Sequence, residues 1–512
     1  NVYLGYEAGK VSTGAANVYI GSEAGLAAAA AEGNVVIGNN AGSSMGDIDA
    51  NVLIGREAGQ YSKHTDTTKN VAIGKQALRG ANASSTAPTN TVAVGYQALT
   101  AVTTGHSNIA IGYEAGYLIS SGSNNTVMGY QAGYSLGGTY NNVMIGDYAG
   151  AVSNTINNRH TYVGYNAGRY IDTGVANVAI GYNAMKSTSA TNQNASYNTA
   201  VGYVALESIT DADYNTAIGQ AAAQNLEGGS GQNVFIGNAA GVGSVTSAFN
   251  VMIGVNSGGG ATDVDKTVLI GWNAGKGVMT SDADGTVAIG YAALTALTDG
   301  VANIAIGQNA GNEITTGDNN TVIGYEAGSE LKDDLNNTFL GAYAGYTVES
   351  NENTFIGVEA GEGSSGNTTG AQNTSVGYRS MEAYTTATKN VAVGNAALQL
   401  GTTGNSNVAI GFRASQYNTV GSNQVVIGTE AGRYATGSSN TFVGTNAGKG
   451  GTTSAPYSSG VNQVAVGYNA LTAFTTGGWN VALGDQAAYR LSTGNYNIAI
   501  GSVALAGLVT GG

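Results

Sequence analysis

Pairs of aspartates separated by one residue recur along the chain and are the groups best suited to bind a metal ion. Each pair falls eight and six residues before a glycine that closes an apolar run. Two carboxylates at one fixed corner could supply the oxygen ligands that Ca²⁺ prefers. Asp is also a favoured turn residue. We interpret the pairs as turns, with a cation site as the alternative: Asp47/Asp49, Asp211/Asp213, Asp263/Asp265 and Asp282/Asp284.

Three histidines, His64, His106 and His160, are the other groups that could transfer protons near neutral pH. They lie in separate repeats, and no Ser/His/Asp order, HExxH or CxxC motif accompanies them. We therefore predict surface or turn histidines and a chain that is not an enzyme. The chain has no cysteine. We assign no catalytic, cofactor-binding or metal-binding residue and expect no cofactor.

Tyrosine is abundant, with 30 residues, and eleven of them directly follow the glycine that closes an apolar run. A file of aromatic rings on one side of the molecule could stack on sugars. The alternative is a tyrosine belt that covers one corner of the structure with its hydroxyl groups in water. We favour the belt.

These residues are positioned by a repeat that extends along the whole chain. The glycine that closes each apolar run, here called the register glycine and numbered position 0, occurs 29 times from Gly5 to Gly501. Of the 28 spacings, 17 are 17 residues long and the others range from 16 to 23. Nothing interrupts the series, so we predict a single continuous array over residues 1–512, excerpted from a longer fibre protein.

Positions −3 to −1 read as a strand. Position −3 is Val, Ile or Thr in all 29 repeats, and position −1 is Ile, Val or Leu in all but one, which has Met128. We expect these two positions to share one buried inner face. Position −2 should then face water, yet it is apolar in every repeat except at Ser375. We therefore expect a second covering surface, supplied by another copy of the chain.

The positions around the strand predict corners and a ladder. Position +3 is Ala in 27 repeats and Ser in two, which indicates close packing, and position +4 is most often Gly, which predicts a left-handed turn. Position −4 is Asn in 23 repeats, and we predict that these amides stack into a hydrogen-bonded ladder. A Thr-Gly turn near position −7 follows an apolar residue in several repeats, which suggests a weaker second strand with one inward anchor: Val102, Ile119, Ile171, Ile314 and Leu491.

Each repeat is therefore one full coil, and the predicted fold class is all-β. We expect a parallel β-solenoid, or β-roll, of about 29 coils with repeats of about 17 residues. The extra residues of the longer repeats lie between the corner and the next strand, where both prolines, Pro88 and Pro456, are found. Loops such as 79–90 and 449–462 are expected to project outward and present contact surface.

The net charge of −14 disfavours nucleic acid and anionic lipid as partners. Lys and Arg are scattered singly, and no basic stripe is visible in the sequence. No apolar run approaches the ~18 residues needed to span a bilayer, so we expect no membrane insertion.

The strand segments resemble the head repeats of YadA-type trimeric autotransporter adhesins, and equally the repeat arrays of bacteriophage tail fibres. The resemblance covers essentially the whole chain, although the adhesin repeat is usually shorter. It implies an intertwined, left-handed parallel β-roll of three chains, with the second face of each strand turned towards the trimer axis. The matching segments are "NTAVGYVAL" (198–206), "NTAIGQAAA" (215–223), "NVAVGNAAL" (390–398) and "QVAVGYNAL" (463–471).

We accordingly expect a structural and adhesive fibre shaft: a homotrimeric viral (phage) tail or appendage fibre that mediates host attachment. The alternative is a bacterial cell-surface trimeric adhesin head or extracellular filament. The expected partners are further copies of the chain and a host-surface glycan or protein receptor, and the expected location is extracellular. Weaker alternatives are a glycan depolymerase, which needs paired carboxylates in a groove, and an ice-binding solenoid, which needs an outward Thr in every coil.

Overall fold

Two compact units, residues Asn1–Asp263 and Val264–Gly512, make up the chain. Each unit is a parallel β-solenoid in which every coil contributes one three-residue strand at positions −3 to −1. No helix in the part of the chain that the structure describes is long and apolar enough to cross a membrane. The structure is a computed structural model that describes residues 1–61, 69–81, 88–152, 159–188, 193–229, 231–364 and 368–511.

In the N-terminal unit, consecutive strands pair in parallel and in register, so that each strand position stacks on the same position of the next coil. Its strands are β1 (Val2–Leu4), β2 (Val18–Ile20), β3 (Val35–Ile37), β4 (Val52–Ile54), β5 (Val71–Ile73), β6 (Val92–Val94), β7 (Ile109–Ile111), β8 (Thr126–Met128), β9 (Val143–Ile145), β10 (Thr161–Val163), β11 (Val178–Ile180), β12 (Thr199–Val201), β13 (Thr216–Ile218), β14 (Val234–Ile236) and β15 (Val251–Ile253).

The C-terminal unit repeats this arrangement and adds one short 3₁₀ helix, Ser281–Ala283. Its strands are β16 (Val268–Ile270), β17 (Val287–Ile289), β18 (Ile304–Ile306), β19 (Thr321–Ile323), β20 (Thr338–Leu340), β21 (Thr354–Ile356), β22 (Thr374–Val376), β23 (Val391–Val393), β24 (Val408–Ile410), β25 (Val425–Ile427), β26 (Thr441–Val443), β27 (Val464–Val466), β28 (Val481–Leu483) and β29 (Ile498–Ile500).

The interior of each coil is lined by position −2, and the prediction that positions −3 and −1 face inward was wrong. In β7, Ala110 is fully buried, whereas Ile109 and Ile111 keep 40% and 37% of their surface exposed. The same pattern holds for β2–β29, where the middle residue is buried and the flanking residues are half-buried or exposed. Position −2 is therefore covered from within one chain and needs no second copy.

Positions −2 and +4 fill the coil interior in complementary sizes. All 15 repeats with Val, Leu, Met or an aromatic residue at −2 have Gly at +4, and eight of the 13 repeats with Ala at −2 have Leu or Met there. A Cβ on Gly448 would overlap the ring of Phe442 in its own coil. Conversely, Leu398 is buried in the coil that has Ala392. One large side chain from either position thus fills such a coil.

The corner after the strand requires unusual backbone angles, as the glycines predicted. The register glycine Gly112 has a φ of +141°, and a Cβ on it would overlap the carbonyl group of Gly129 in the next coil. Position +4 is left-handed both for Gly448, with a φ of +55°, and for Leu398, with a φ of +50°. The register position must be glycine because a side chain there would collide with the neighbouring coil, whereas position +4 accepts a side chain at some conformational cost.

The predicted asparagine ladder is confirmed. The backbone N–H of Asn125 donates to Oδ1 of Asn108 at 3.0 Å, and Oδ1 of Asn125 accepts from the N–H of Asn142 at 3.1 Å. The Asn125 side chain also donates to the carbonyl oxygen of Thr139 at 2.9 Å. Each ladder residue therefore ties its coil to its neighbours and satisfies backbone groups that are buried away from water.

The predicted second strand is wrong, although its inward anchors are buried as expected. Outside the 29 named strands, the described residues contain only isolated β-bridges, Val348–Thr368 and Ala435–Ser458. Backbone hydrogen bonds still join the return segments of adjacent coils, as between the Thr103 N–H and the Ser120 carbonyl at 2.8 Å. The turn residues bend the return segment too tightly for an extended strand. The buried anchors are Val102, Ile119, Ile171, Ile314 and Leu491.

Candidate functional site

The surface that recurs in every coil is the outward face, defined here as the side chains at positions −3 and −1. It carries Val, Ile or Thr beside Ile, Val, Leu or Met. The β-branched side chains are stiff and stack in register, so the face forms a straight apolar stripe along each unit. In the N-terminal unit, 15 strands at sheet spacing extend over about 70 Å. Exposed apolar surface of this extent marks an interaction site.

Threonines at position −3 also belong to the outward face, which corrects the expectation that they face inward. Their orientation therefore no longer argues against an ice-binding surface. The composition still does, because the partner at position −1 is aliphatic or Met in every repeat and only β19–β22 place four such threonines in succession. The nine residues are Thr126, Thr161, Thr199, Thr216, Thr321, Thr338, Thr354, Thr374 and Thr441.

The tyrosines at position +1 stack on one another along the N-terminal unit. The Tyr113 ring lies 5.1 Å from that of Tyr96 and 5.0 Å from that of Tyr130, with interplanar angles of 12° and 6°. Both faces of the Tyr113 ring are thereby occupied, and its exposed edge is what a partner would meet. Partial burial raises the pKa of its hydroxyl group. This geometry favours the belt over a file of free rings for sugar stacking.

The aspartate pairs act as turn residues. Asp47 accepts a hydrogen bond from the backbone N–H of Ala30 at 2.7 Å, and Asp49 accepts one from that of Glu32 at 2.6 Å. Each carboxylate thus binds a backbone amide of the preceding coil, which is the turn role predicted for these residues. The second aspartate of two other pairs does the same: Asp213 with Ser196 at 2.6 Å and Asp284 with Asp265 at 2.7 Å.

One group of three carboxylates within the described residues is close enough to share a metal ion: Glu359, Glu362 and Glu382, whose oxygens lie within 4.8 Å of one another. Arg379 forms ion pairs with Glu359 and, at 3.7 Å, with Glu382. Burial and repulsion by the other two carboxylates raise the pKa of Glu362. The group is therefore an ion-pair cluster. Positions +2 and +5 of adjacent coils bring it together.

The histidines differ in location. His106 is exposed as predicted, and His64 lies outside the described residues. For His160 the prediction of a surface or turn residue was wrong, because it occupies position −4 of the ladder and is 1% exposed. Its Nδ1 accepts the backbone N–H of Asn177 at 3.1 Å, and burial lowers its pKa to about 3. The signal in the sequence was its register position, which is that of the ladder asparagines.

Basic residues that are isolated in the sequence meet in the C-terminal unit. Arg413, Arg433 and Lys449 are 20 and 16 residues apart, about one coil each, and all three form ion pairs with Glu430. These four residues are called the Glu430 cluster here. The sequence showed no basic stripe because a spacing of one coil becomes adjacency only after the solenoid forms.

The insertion at residues 449–462 projects less than predicted. Residues 453–456 are exposed, but Tyr457 packs back against Tyr417, with ring centroids 5.1 Å apart. The tip therefore projects while the rest of the insertion covers the coil. Residues 82–87 of the other predicted loop, 79–90, lie outside the described residues.

Comparison with known proteins identifies no relative of this chain. No protein-family model matches it, and a search of curated proteins finds no match. The resemblance to adhesin heads and tail fibres therefore stays a prediction based on the strand segments.

Proposed function

We propose that the chain is the shaft of a structural and adhesive fibre in which copies assemble through the outward face. The observation that carries the proposal is that every coil presents two apolar side chains outward, as Ile109 and Ile111 do in β7. Because the face repeats at every coil, the partner that matches it at every coil is one with the same repeat. A second and third copy of the chain have that repeat.

The proposal differs from the sequence argument in the face that it uses. Position −2 is sealed inside one chain, so the trimer interface is assigned to positions −3 and −1. Three apolar stripes that meet along a common axis would each lose their contact with water, and the gain scales with fibre length. The homotrimer is the assembly implied by the resemblance to YadA-type heads and phage tail fibres.

In this proposal the fibre is extracellular and belongs to a viral tail or appendage that contacts a host surface. A bacterial cell-surface adhesin head is the alternative, and it uses the same assembly. The corners and insertions on the other sides of the coil stay free for a receptor. No step of the proposed function involves catalysis or a cofactor.

Oxidative cross-linking tests the assembly, because the chain has no cysteine of its own. We expect that Ile111→Cys forms covalent dimers under mild oxidation, since its side chain would face the same residue of another copy. The matched control is Ala110→Cys, one residue away and fully buried in its own coil. Equal cross-linking of the two variants, or none with Ile111→Cys, would contradict the proposal.

A further inference from the structure

Charge is distributed unevenly along the C-terminal unit. Residues 299–382 contain 12 acidic and two basic side chains, whereas residues 383–484 contain four basic side chains and Glu430 as the single acidic one. In the first segment, burial and repulsion by Asp333 raise the pKa of Asp334 to about 6. An anion that approaches this unit is repelled by the first segment and attracted by the second.

The Glu430 cluster concentrates the positive charge of the second segment. Arg433 Nη1 lies 2.7 Å from Glu430 Oε1, and Lys449 Nζ lies 2.6 Å from Glu430 Oε2. The hydrogen bond from Lys449 lowers the pKa of Glu430, which keeps the carboxylate charged. One carboxylate cannot neutralise three cations, so the cluster retains two positive charges.

Arg413 is the cation of the cluster with most capacity for a further ligand. Its Nη1 is 3.9 Å from Glu430 Oε1, beyond hydrogen-bond distance, and the Arg413 side chain is 40% exposed. A guanidinium group has five N–H donors in a planar fork that matches a carboxylate or a sulfate. Lys449, two coils further along, is also partly exposed.

Aromatic side chains adjoin these cations. The Tyr417 ring lies 5.1 Å from both the Tyr434 ring and the Tyr457 ring, and the Arg433 guanidinium lies 5.0 Å from the Tyr434 ring centre. Tyr457 comes from the insertion at residues 449–462 and is next to its exposed tip. Cationic groups beside aromatic rings suit a ligand that has both anionic groups and apolar C–H faces.

We propose that the Glu430 cluster and the adjoining tyrosines bind a short anionic saccharide that carries carboxylate or sulfate groups. Arg413 and Lys449 belong to the coils of β24 and β26, which are two sheet spacings, or about 10 Å, apart. Arg413 and Lys449 bind the anionic groups, and Tyr457 packs on a sugar ring. A long polyanion such as nucleic acid would extend over the acidic coils of residues 299–382 and be repelled.

Calorimetric titration of the full chain at low salt tests this inference, which rests on the proposed function only in making the saccharide a host contact. The probes are a sulfated heparin tetrasaccharide, a carboxylated tetramer of sialic acid and neutral maltotetraose. We expect at least one charged probe to bind, the neutral probe not to bind, and added salt to weaken binding. The two charged probes distinguish sulfate from carboxylate recognition.

The decisive variant is Arg413→Glu, for which we expect an affinity loss of about tenfold or more. Lys389→Glu is the matched control: it makes the same charge change at an exposed residue of the same segment, at position −5 of its coil. We expect it to lower affinity less than about twofold, because salt screens distant charges. If thermal melting shows that Arg413→Glu is unfolded, Lys449→Gln takes its place.

Equal losses in the two variants, binding of the neutral probe, absence of any binding, or tighter binding of single-stranded DNA than of either charged tetrasaccharide would overturn the inference. Sedimentation of the same samples reports on the fibre separately. An intact trimer that binds no saccharide contradicts only this inference, and a monomer that binds one contradicts only the proposed assembly.

Discussion

The interior of the coil and its outer surface are built from alternating residues of one strand, yet they tolerate change very differently. Inside, position −2 is large only where position +4 is Gly, as in Phe442 with Gly448. Outside, position +1 is Tyr113 in one coil, Asp147 in another and Lys75 in a third. A few buried positions per coil therefore specify the solenoid, and the surface is left free to vary for recognition.

The strongest break in this comparison is Gly448→Leu. Leucine is compatible with the backbone, since Leu398 has nearly the same φ at the same position. It would collide with the Phe442 ring, so we expect the free energy of unfolding to fall by about 3 kcal/mol. The double variant Phe442→Ala/Gly448→Leu recreates the natural pair of Ala392 and Leu398 and should recover most of the loss.

Urea denaturation of the two single variants and the double variant measures the coupling between these positions. A double variant that is no more stable than Gly448→Leu would mean that the two side chains do not share one space.

The next largest effect is expected for Asn320→Ala in the ladder. The change leaves the backbone N–H of Asn337 and the carbonyl of Asp334 without the partners that they have at 3.0 and 2.7 Å. We expect a loss of about 2–3 kcal/mol in urea denaturation, because unpaired buried polar groups are costly. The control is Asn395→Ala at exposed position +1, for which we expect a change within about 0.5 kcal/mol. Similar losses for the two would argue against the ladder.

His160 makes the interior sensitive to acid. Its pKa is about 3 in the folded chain, below the model value of 6.5, so folding favours the neutral ring. Its contribution to stability is present above pH 6.5 and is lost as the pH falls towards 3, by roughly 2 kcal/mol at pH 5. We expect His160→Asn to remove this part of the pH dependence in denaturation curves, and His106→Asn, at an exposed site, to leave it unchanged. The opposite ranking would contradict the burial of His160.

The smallest effect is expected for Tyr113→Ser on the surface. The variant loses two ring contacts but leaves no cavity, so we expect a stability loss of about 1 kcal/mol or less. Phe235→Ala, which removes an aromatic side chain from the interior, should cost about 3–5 kcal/mol. Comparable losses in thermal melting would show that the surface belt has a structural role equal to that of the core.

Periodicity was sufficient to predict the strands, the left-handed position +4 and the asparagine ladder, because each feature recurs over many coils. It could not give the phase of the strand. In Val143, Met144 and Ile145 all three positions are apolar, so no polar residue marks the water side. The pairing of Phe442 with Gly448 and of Ala392 with Leu398 contained that information, since it shows which strand position shares space with the corner.

The charged cluster was missed for a different reason. Whether Arg413, Arg433 and Lys449 meet depends on coil lengths of 17 and 16 residues in this part of the chain. Residues that are far apart along the sequence become neighbours only when they occupy equivalent positions of successive coils. Placing each charged residue by its register position would have revealed the cluster before the structure did.

The central claim is that the outward apolar face is covered by other copies of the chain. Sedimentation equilibrium of the full chain at several concentrations tests this claim most directly. The account predicts a stable mass near three times the chain mass of 51.1 kDa. A well-folded species of 51.1 kDa over the whole concentration range would show that the face remains in water, and it would contradict the fibre.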